Sequence, residues 1–350
     1  MTRRRLLLAP AALSIARRLV ASEGRNTSFS LQNIDGTLTP AELFFVRDHF
    51  SEPDISLSAW TFKIEGRVSR PLTLSLADIL ESPTKKIEAV LECAGNGPGG
   101  SAVSNAVWEG VPLRHLLARA APAEDAMAVI LEGADTGSLG PDLPRLPYSQ
   151  VVPIAKCRAE ESIVAFKFNH RFLPRKNGFP ARALLPGWYG MDSVKWLQRI
   201  VVLGPGEAAA DFHASGMDRL YNRELKGDEK VARLSEIAVR SAIAWPPDNA
   251  HLPVGTHSVR GFAWTGSGLI RGVSLNCDGG QTWTDAQLES QPRPFAWVRW
   301  KCAWRADRGD HVLMARAVDE RGRQQPLKRD PARKDGYEWN ICAPVRCSVR

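Results

Sequence analysis

The chain has 350 residues, 44% hydrophobic and 24% charged. That excludes a disordered or fibrous protein and supplies enough apolar material for a core without a disulfide framework. The length suits two domains or one large one. The formal net charge of +8, from 46 basic and 38 acidic residues, points to a nucleic-acid partner only if the excess sits on the folded surface.

The N-terminus accounts for most of that excess. Arg3, Arg4 and Arg5 precede a short apolar run to Ala16, the layout of an export signal. Thr2-Arg3-Arg4-Arg5-Leu6-Leu7 resembles the twin-arginine signal of bacteria. The run is too short to span a bilayer, which takes about 20 apolar residues. Residues 1–21 hold five arginines and no acid, so without them the net charge falls from +8 to +3. The expectation is a periplasmic protein with no membrane anchor and no nucleic-acid partner.

In chain order, residues 22–40 are polar and read as a loosely held arm. Residues 41–232 mix short apolar strands with a few helices. Ile87–Cys93 and Ala128–Leu131 read as buried strands. Leu113–Ala121 reads as a short helix ended by Pro122, and Val194–Leu203 as a strand with basic outer positions. Residues 206–232 are charged and irregular, as in a crossing loop. From Ser235, five short strands follow within residues 233–350: Ile237–Ile243, Gly255–Trp264, Ile270–Asn276, Ala296–Trp304 and His311–Val318. Asp278-Gly279-Gly280 supplies hairpin chemistry. This pattern predicts an immunoglobulin-like β-sandwich. The six cysteines, Cys93, Cys157, Cys277, Cys302, Cys342 and Cys347, form no CxxC or CxxCH. Neither a zinc ribbon nor a covalent haem is indicated, and in an oxidising compartment some are able to pair.

Three stretches carry chemistry. In Glu92-Cys93-Ala94-Gly95-Asn96-Gly97 a thiol ends a buried strand beside small residues; it is either a packed core cysteine or a thiol with room for something bulky. Gly95, Gly97 and Gly100 also fit GxGxxG, but Pro98 interrupts it and no βαβ unit follows, so a dinucleotide site is rejected. In Phe45-Val46-Arg47-Asp48-His49, Arg47 and His49 share a face of an extended segment, as an anion-binding pair or as the solvated end of a surface strand. In Asn177-Gly178-Phe179-Pro180-Ala181-Arg182 and Gly187–Leu197, Arg182 and Lys195 are phosphate-seeking cations.

These stretches, in this order, resemble the sulfite oxidase family of molybdenum enzymes. Ser274–Trp283 and Ala317-Val318-Asp319 leading to Gln325-Pro326 resemble that family's dimerisation domain. The resemblance runs from about residue 40 to the C-terminus. It implies an α+β fold: a mixed α+β molybdopterin-binding domain, then an immunoglobulin-like domain that pairs two subunits into a homodimer. It implies one molybdenum–molybdopterin cofactor per chain, with Cys93 as the thiolate ligand of the metal. Phe45, Val46, Arg47, Asp48 and His49 would line the pocket. Asp135 and Asn177 would contact the pterin, Asn177 standing where vertebrate-like members have His. Arg182, Ser193, Val194 and Lys195 would grip the pterin and its phosphate.

Arg47, Tyr221 and Arg293 would act on the substrate, a small sulfur oxyanion. One departure stands out: Gly97-Pro98 occupies the place where vertebrate sulfite oxidases and plant nitrate reductases carry paired arginines. The activity implied is oxygen-atom transfer that turns sulfite into sulfate. No haem is expected, and electrons would pass to an external acceptor such as cytochrome c. The alternatives are another sulfur substrate at the same site, a sulfane sulfur or a sulfoxide, and a secreted binding protein without a metal.

Overall fold

The computed structural model describes residues 24–140, 142–207, 222–223, 232–333 and 335–350. The export segment and Tyr221 lie outside the described residues.

The N-terminal half is built on two sheets. One runs, in spatial order, Leu72–Ser75, Thr61–Gly66, Leu197–Leu203, Ala128–Ser138 and Arg145–Pro153. Leu197–Leu203 lies parallel to Thr61–Gly66 and antiparallel to Ala128–Ser138. The other runs Arg171–Phe172, Ile163–Phe168, Val103–Pro112 and Lys85–Glu92, all antiparallel. The helix Leu113–Ala120 buries Leu113, Leu116, Leu117 and Ala120, a spacing that puts them on one face. It ends where Ala121 turns left-handed, just before Pro122. These elements enclose a core that includes Phe62, Ile64, Leu116, Val129, Leu131 and Ile200. Only three α-helices occur among the described residues, all short. The fold is therefore mixed but sheet-rich, with less helix than a typical α+β domain.

The C-terminal half is two sheets face to face. Arg240–Trp245, Gly255–Trp264, Val298–Ala306 and Gln287–Leu288 form one. Ala250–Leu252, Val345–Val349, Gly309–Asp319, Ile270–Asn276 and Thr284–Asp285 form the other. Both faces contribute to one core, with Val259, Trp300, Leu275, Leu313 and Val349 inside. Asp278 caps the predicted hairpin by accepting from the N–H groups of Gln281 and Thr282.

Two expectations change. The arm, from residue 24 onward, is not loose. Leu31 and Ile34 are buried against Val90, Trp264 and Trp297, and the Thr39 hydroxyl accepts from Asn105 N–H at 3.0 Å. The carbonyls of Thr27, Asp35, Thr37 and Thr39 accept from Arg47, Arg299, Asn105, Trp297 and Asn169, so a segment with many exposed polar side chains is still tied down through its backbone. All six cysteines are free thiols; Cys157, Cys302, Cys342 and Cys347 are core residues.

The two halves meet backbone to backbone. Ile237 N–H donates to Gly187 O at 2.9 Å, and Gly266 N–H to Ile237 O at 2.9 Å. A Cβ on Gly266 would stand 2.4 Å from Gly187 O and 2.6 Å from Ile237 N, so only glycine permits this approach. Gly266→Ala is therefore expected to cost about 1–3 kcal/mol, as overpacking does, and to lower the thermal midpoint. An unchanged midpoint would show that the junction yields freely.

Candidate active site

Cys93 follows directly on the strand Lys85–Glu92. Its N–H donates to Ala102 O at 3.0 Å, and Asn96 N–H returns to Cys93 O at 2.9 Å. The glycine-rich loop is thereby folded back on the start of the next strand. Burial pushes the thiol pKa up, and the Gly95 N–H and the Arg47 guanidinium oppose that shift. Arg47 is thus a close neighbour of the Cys93 sulfur. Its strand, Val46–Arg47, pairs with Asn26–Thr27, and its guanidinium donates to Thr27 O at 3.1 Å and Val46 O at 3.0 Å. A cation is therefore fixed beside a half-buried thiol.

Asp48, the next residue, belongs to a second group. It is buried and pairs with Lys195, whose Nζ also donates to Lys176 O at 3.1 Å. Arg182, buried, donates to Asn177 O at 3.0 Å and Ser193 O at 2.6 Å. Desolvation pulls Arg182 down to about 9 and Lys195 to about 8; Asp48 opposes both shifts. Asp135 stands nearby, where the pairing of Ala128–Ser138 with Arg145–Pro153 slips between Glu132 and Thr136. Such a bulge re-aims a side chain. A Cβ on Gly133 would come within 2.5 Å of the Asp135 carboxylate and 2.7 Å of Lys195 O, so glycine makes room for both. Burial lifts Asp135 to about 7.

This group is incomplete. Asp135 Oδ1, Asn177 Oδ1 and Arg182 Nε are buried without a hydrogen-bond partner. A buried polar atom left unpaired costs on the order of 1–3 kcal/mol, and such groups in a native fold call for an explanation. A ligand with both donors and acceptors would satisfy these atoms, and its negative charge would pair with Arg182 and Lys195. Val194 O accepts from Ala183 N–H at 2.8 Å, and Ser193 Oγ from Leu185 N–H at 3.1 Å. Ser193 and Val194 thus serve as scaffold for the two cations.

The structure therefore brings together Asp48, Asp135, Asn177, Arg182, Ser193, Val194 and Lys195, with Arg47 and Cys93 adjoining through the Arg47-Asp48 step. Phe45 and Val46 are core residues: Phe45 packs on Phe44, ring centroids 5.8 Å apart. His49 lies against Phe50 and Tyr148, and burial lowers its pKa. Arg293 stands apart from these residues. Its side chain is 72% exposed and pairs with Glu88 at 3.0 Å, because Glu88 offers a carboxylate on the neighbouring strand surface. It does not join the cluster.

Sequence reasoning missed three things. Glu92 and Asn96 are buried polar anchors of the Cys93 loop. Arg240 and Trp264, from the C-terminal half, reach Glu92. Asp192, fully buried, pairs with Arg233 and is lifted to about 7 by burial. The Glu92-Cys93 dipeptide was visible, but nothing local identified its partners.

The raised Asp135 carboxyl has a pH consequence. Its stabilising contribution is complete below the unfolded aspartate range, where both states are protonated, and is lost as pH rises toward about 7. In ligand-free protein, Asp135→Asn should raise the unfolding temperature more at pH 8 than at pH 5. A variant less stable than wild type at pH 8 would contradict the assignment.

Two family models match the chain: the oxidoreductase molybdopterin binding domain over residues 49–208 and the Mo-co oxidoreductase dimerisation domain over residues 232–341. Sulfite oxidase of Gallus gallus is 31% identical over 334 residues, covering 87% of this chain and 70% of that protein. Mitochondrial sulfite oxidase of Drosophila melanogaster is 32% identical, covering 87% and 56%. The NADH nitrate reductase of Cichorium intybus is 29% identical, covering 87% and 37%. The chain thus spans between about a third and 70% of these relatives. The crystal structure of the sulfane dehydrogenase SoxCD from Paracoccus pantotrophus superposes with a TM-score of 0.78 at 27% identity, over 90% of this chain and 82% of that one. The chain belongs to the sulfite oxidase family of molybdopterin oxidoreductases.

Proposed function

We propose that the protein oxidises sulfite to sulfate and passes the electrons to an external acceptor, a cytochrome c. The observation that carries this reading is the fixed Arg47 guanidinium beside the Cys93 thiol, next to a buried polar cluster with unpaired donors and acceptors.

The residues fit a molybdenum–molybdopterin group. Asp135, Asn177 and Arg182 offer unpaired atoms to a heterocycle rich in donors and acceptors. Arg182 and Lys195, whose pKa values burial depresses, gain from a phosphate charge. Cys93 would bind the metal, since a soft thiolate suits a redox-active transition metal, which keeps it deprotonated. When bound, the group supplies oxygen-atom transfer coupled to two-electron redox chemistry. Sulfite and water together give sulfate, two protons and two electrons.

Arg47 attracts and orients the oxyanion near the metal position. Its carbonyl contacts hold the guanidinium in advance, so little reorganisation is needed. Partial burial around Cys93 strengthens that attraction. Tyr221 is proposed to hydrogen-bond a substrate oxygen. We read the C-terminal sandwich as immunoglobulin-like and as the homodimer contact, in keeping with the dimerisation-domain match. We read residues 1–21 as a twin-arginine export signal that places the enzyme in the periplasm.

A second reading keeps the site and changes the substrate to a sulfane sulfur. The likeness to the sulfane dehydrogenase favours it. So does the Cys93 loop, where Gly97 and Pro98 bring no cation of their own.

The test is molybdenum content together with steady-state kinetics on sulfite, thiosulfate and methionine sulfoxide. The account expects about one molybdenum per chain and the highest kcat/KM for sulfite. Preference for thiosulfate would shift the substrate to the second reading. Protein from a molybdate-fed host that holds no metal would remove both. Arg47→Gln should raise the KM for sulfite roughly 10- to 100-fold, the size of a lost charged hydrogen bond, with molybdenum content unchanged. A KM within twofold of wild type would remove Arg47 from the substrate site.

A further inference from the structure

The Cys93 loop is poorly suited to hold a thiol by itself. Four of the six residues from Gly95 to Gly100 are glycine, so the backbone there is unusually free. Bonds within the loop and to Ala102 fold it back, and the C-terminal half supplies further anchors.

Arg240 is the first residue of the strand Arg240–Trp245 and sits opposite Trp264 in the C-terminal sandwich. Both reach Glu92, the residue before Cys93. Arg240 Nη1 donates to Glu92 Oε1 at 2.8 Å, and Trp264 Nε1 to Glu92 Oε2 at 2.8 Å. Asn96 Nδ2 also donates to Glu92 Oε1, at 2.9 Å. The Arg240 fork continues past Glu92, with Nη1 on Asn96 O at 3.1 Å and Nη2 on Gly97 O. The ion pair is almost fully buried, at 3% and 2% side-chain exposure. Two backbone bonds from the same half bracket the loop: Val90 N–H to Phe295 O and Glu338 N–H to Ala94 O, both 2.8 Å.

A buried ion pair is a weak way to gain stability, because desolvation offsets the attraction; its better-attested use is to specify one geometry. The planar guanidinium fork, with its fixed donor directions, suits that use. We propose that Arg240 is a positioning residue: from the C-terminal half it fixes the Glu92–Gly97 segment and so sets where the Cys93 sulfur stands. This rests on Cys93 being the metal's thiolate ligand, but its test does not require turnover.

The experiment follows iodoacetamide alkylation of Cys93 in full-length, cofactor-free protein at one fixed pH, read by peptide mass spectrometry. Cys157, buried in the N-terminal core, is the internal control for global folding. Arg240→Met should raise the Cys93 rate tenfold or more with Cys157 unchanged. Arg240→Lys, which keeps the charge but not the fork, should fall between. In cofactor-loaded protein, molybdenum per chain should follow the same order, wild type above Lys above Met. A Cys93 rate within twofold of wild type in folded Arg240→Met overturns the proposal, as does an Arg240→Lys variant no better than Met.

If Met at 240 exposes Cys157 as well, the double variant Glu92→Gln with Arg240→Met removes both buried charges. A faster Cys93 with protected Cys157 then supports positioning. A wild-type Cys93 rate, or continued unfolding, shows the pair to be a determinant of the fold instead, and the proposal fails. Metal-free wild-type protein would sink the functional reading while leaving the alkylation result to decide this one.

Discussion

Two carboxylates and two cations share a buried space in the N-terminal half: Asp48 and Asp135 with Lys195 and Arg182. Desolvating them is expensive, and their mutual attraction offsets that cost only where hydrogen bonds are complete. They are not complete, since Asp135 and Arg182 keep unpaired atoms. The cluster is therefore a poor core and a good receptor. Local departures from regularity serve it. The slip in Ala128–Ser138 turns Asp135 inward, Gly133 leaves room for it, and Trp196 takes a left-handed backbone beside Lys195. Strain of this kind persists where the surrounding fold over-determines it.

The thiol is arranged differently. Cys93 lies at a strand end, and groups from the C-terminal half help to order its loop. The adjacent residues Arg47 and Asp48 join the two arrangements, one side chain near the sulfur and the other on Lys195. In an extended segment neighbouring side chains point to opposite faces. The end of the strand Val46–Arg47 and the residue after it thus link the thiol to the buried charge cluster. The shared core of Leu31, Val90, Tyr189, Ile237 and Trp264 fixes the halves against each other, so the site is a property of the whole chain.

What the sequence revealed was local. The apolar run Ala128–Leu131 lies within an observed strand, Ile87–Cys93 overlaps one that ends at Glu92, and the one-face spacing of Leu113, Leu116, Leu117 and Ala120 gave the helix. The resemblance assigned Asp48, Asp135, Arg182 and Lys195 to one site, and in the fold they lie near one another. What failed was long-range. Glu92 meets Arg240 and Trp264 across 148 and 172 residues, and no spacing rule reaches that far. Arg293 was assigned from the resemblance, which says nothing about side-chain orientation; in this structure it pairs with Glu88. The arm looked loose because its polar side chains are largely exposed, while the bonds that tie it down run through backbone carbonyls, which leave no mark in the sequence. A strand edge near these residues also moved: Val194–Trp196 precede the strand, which starts at Leu197.

The central claim is that Cys93 supplies a sulfur ligand to molybdenum. X-ray absorption at the molybdenum edge, on purified wild-type protein and Cys93→Ser, tests it most directly. The account predicts one fewer sulfur scatterer around the metal in the serine variant. The same sulfur count in both proteins would contradict it.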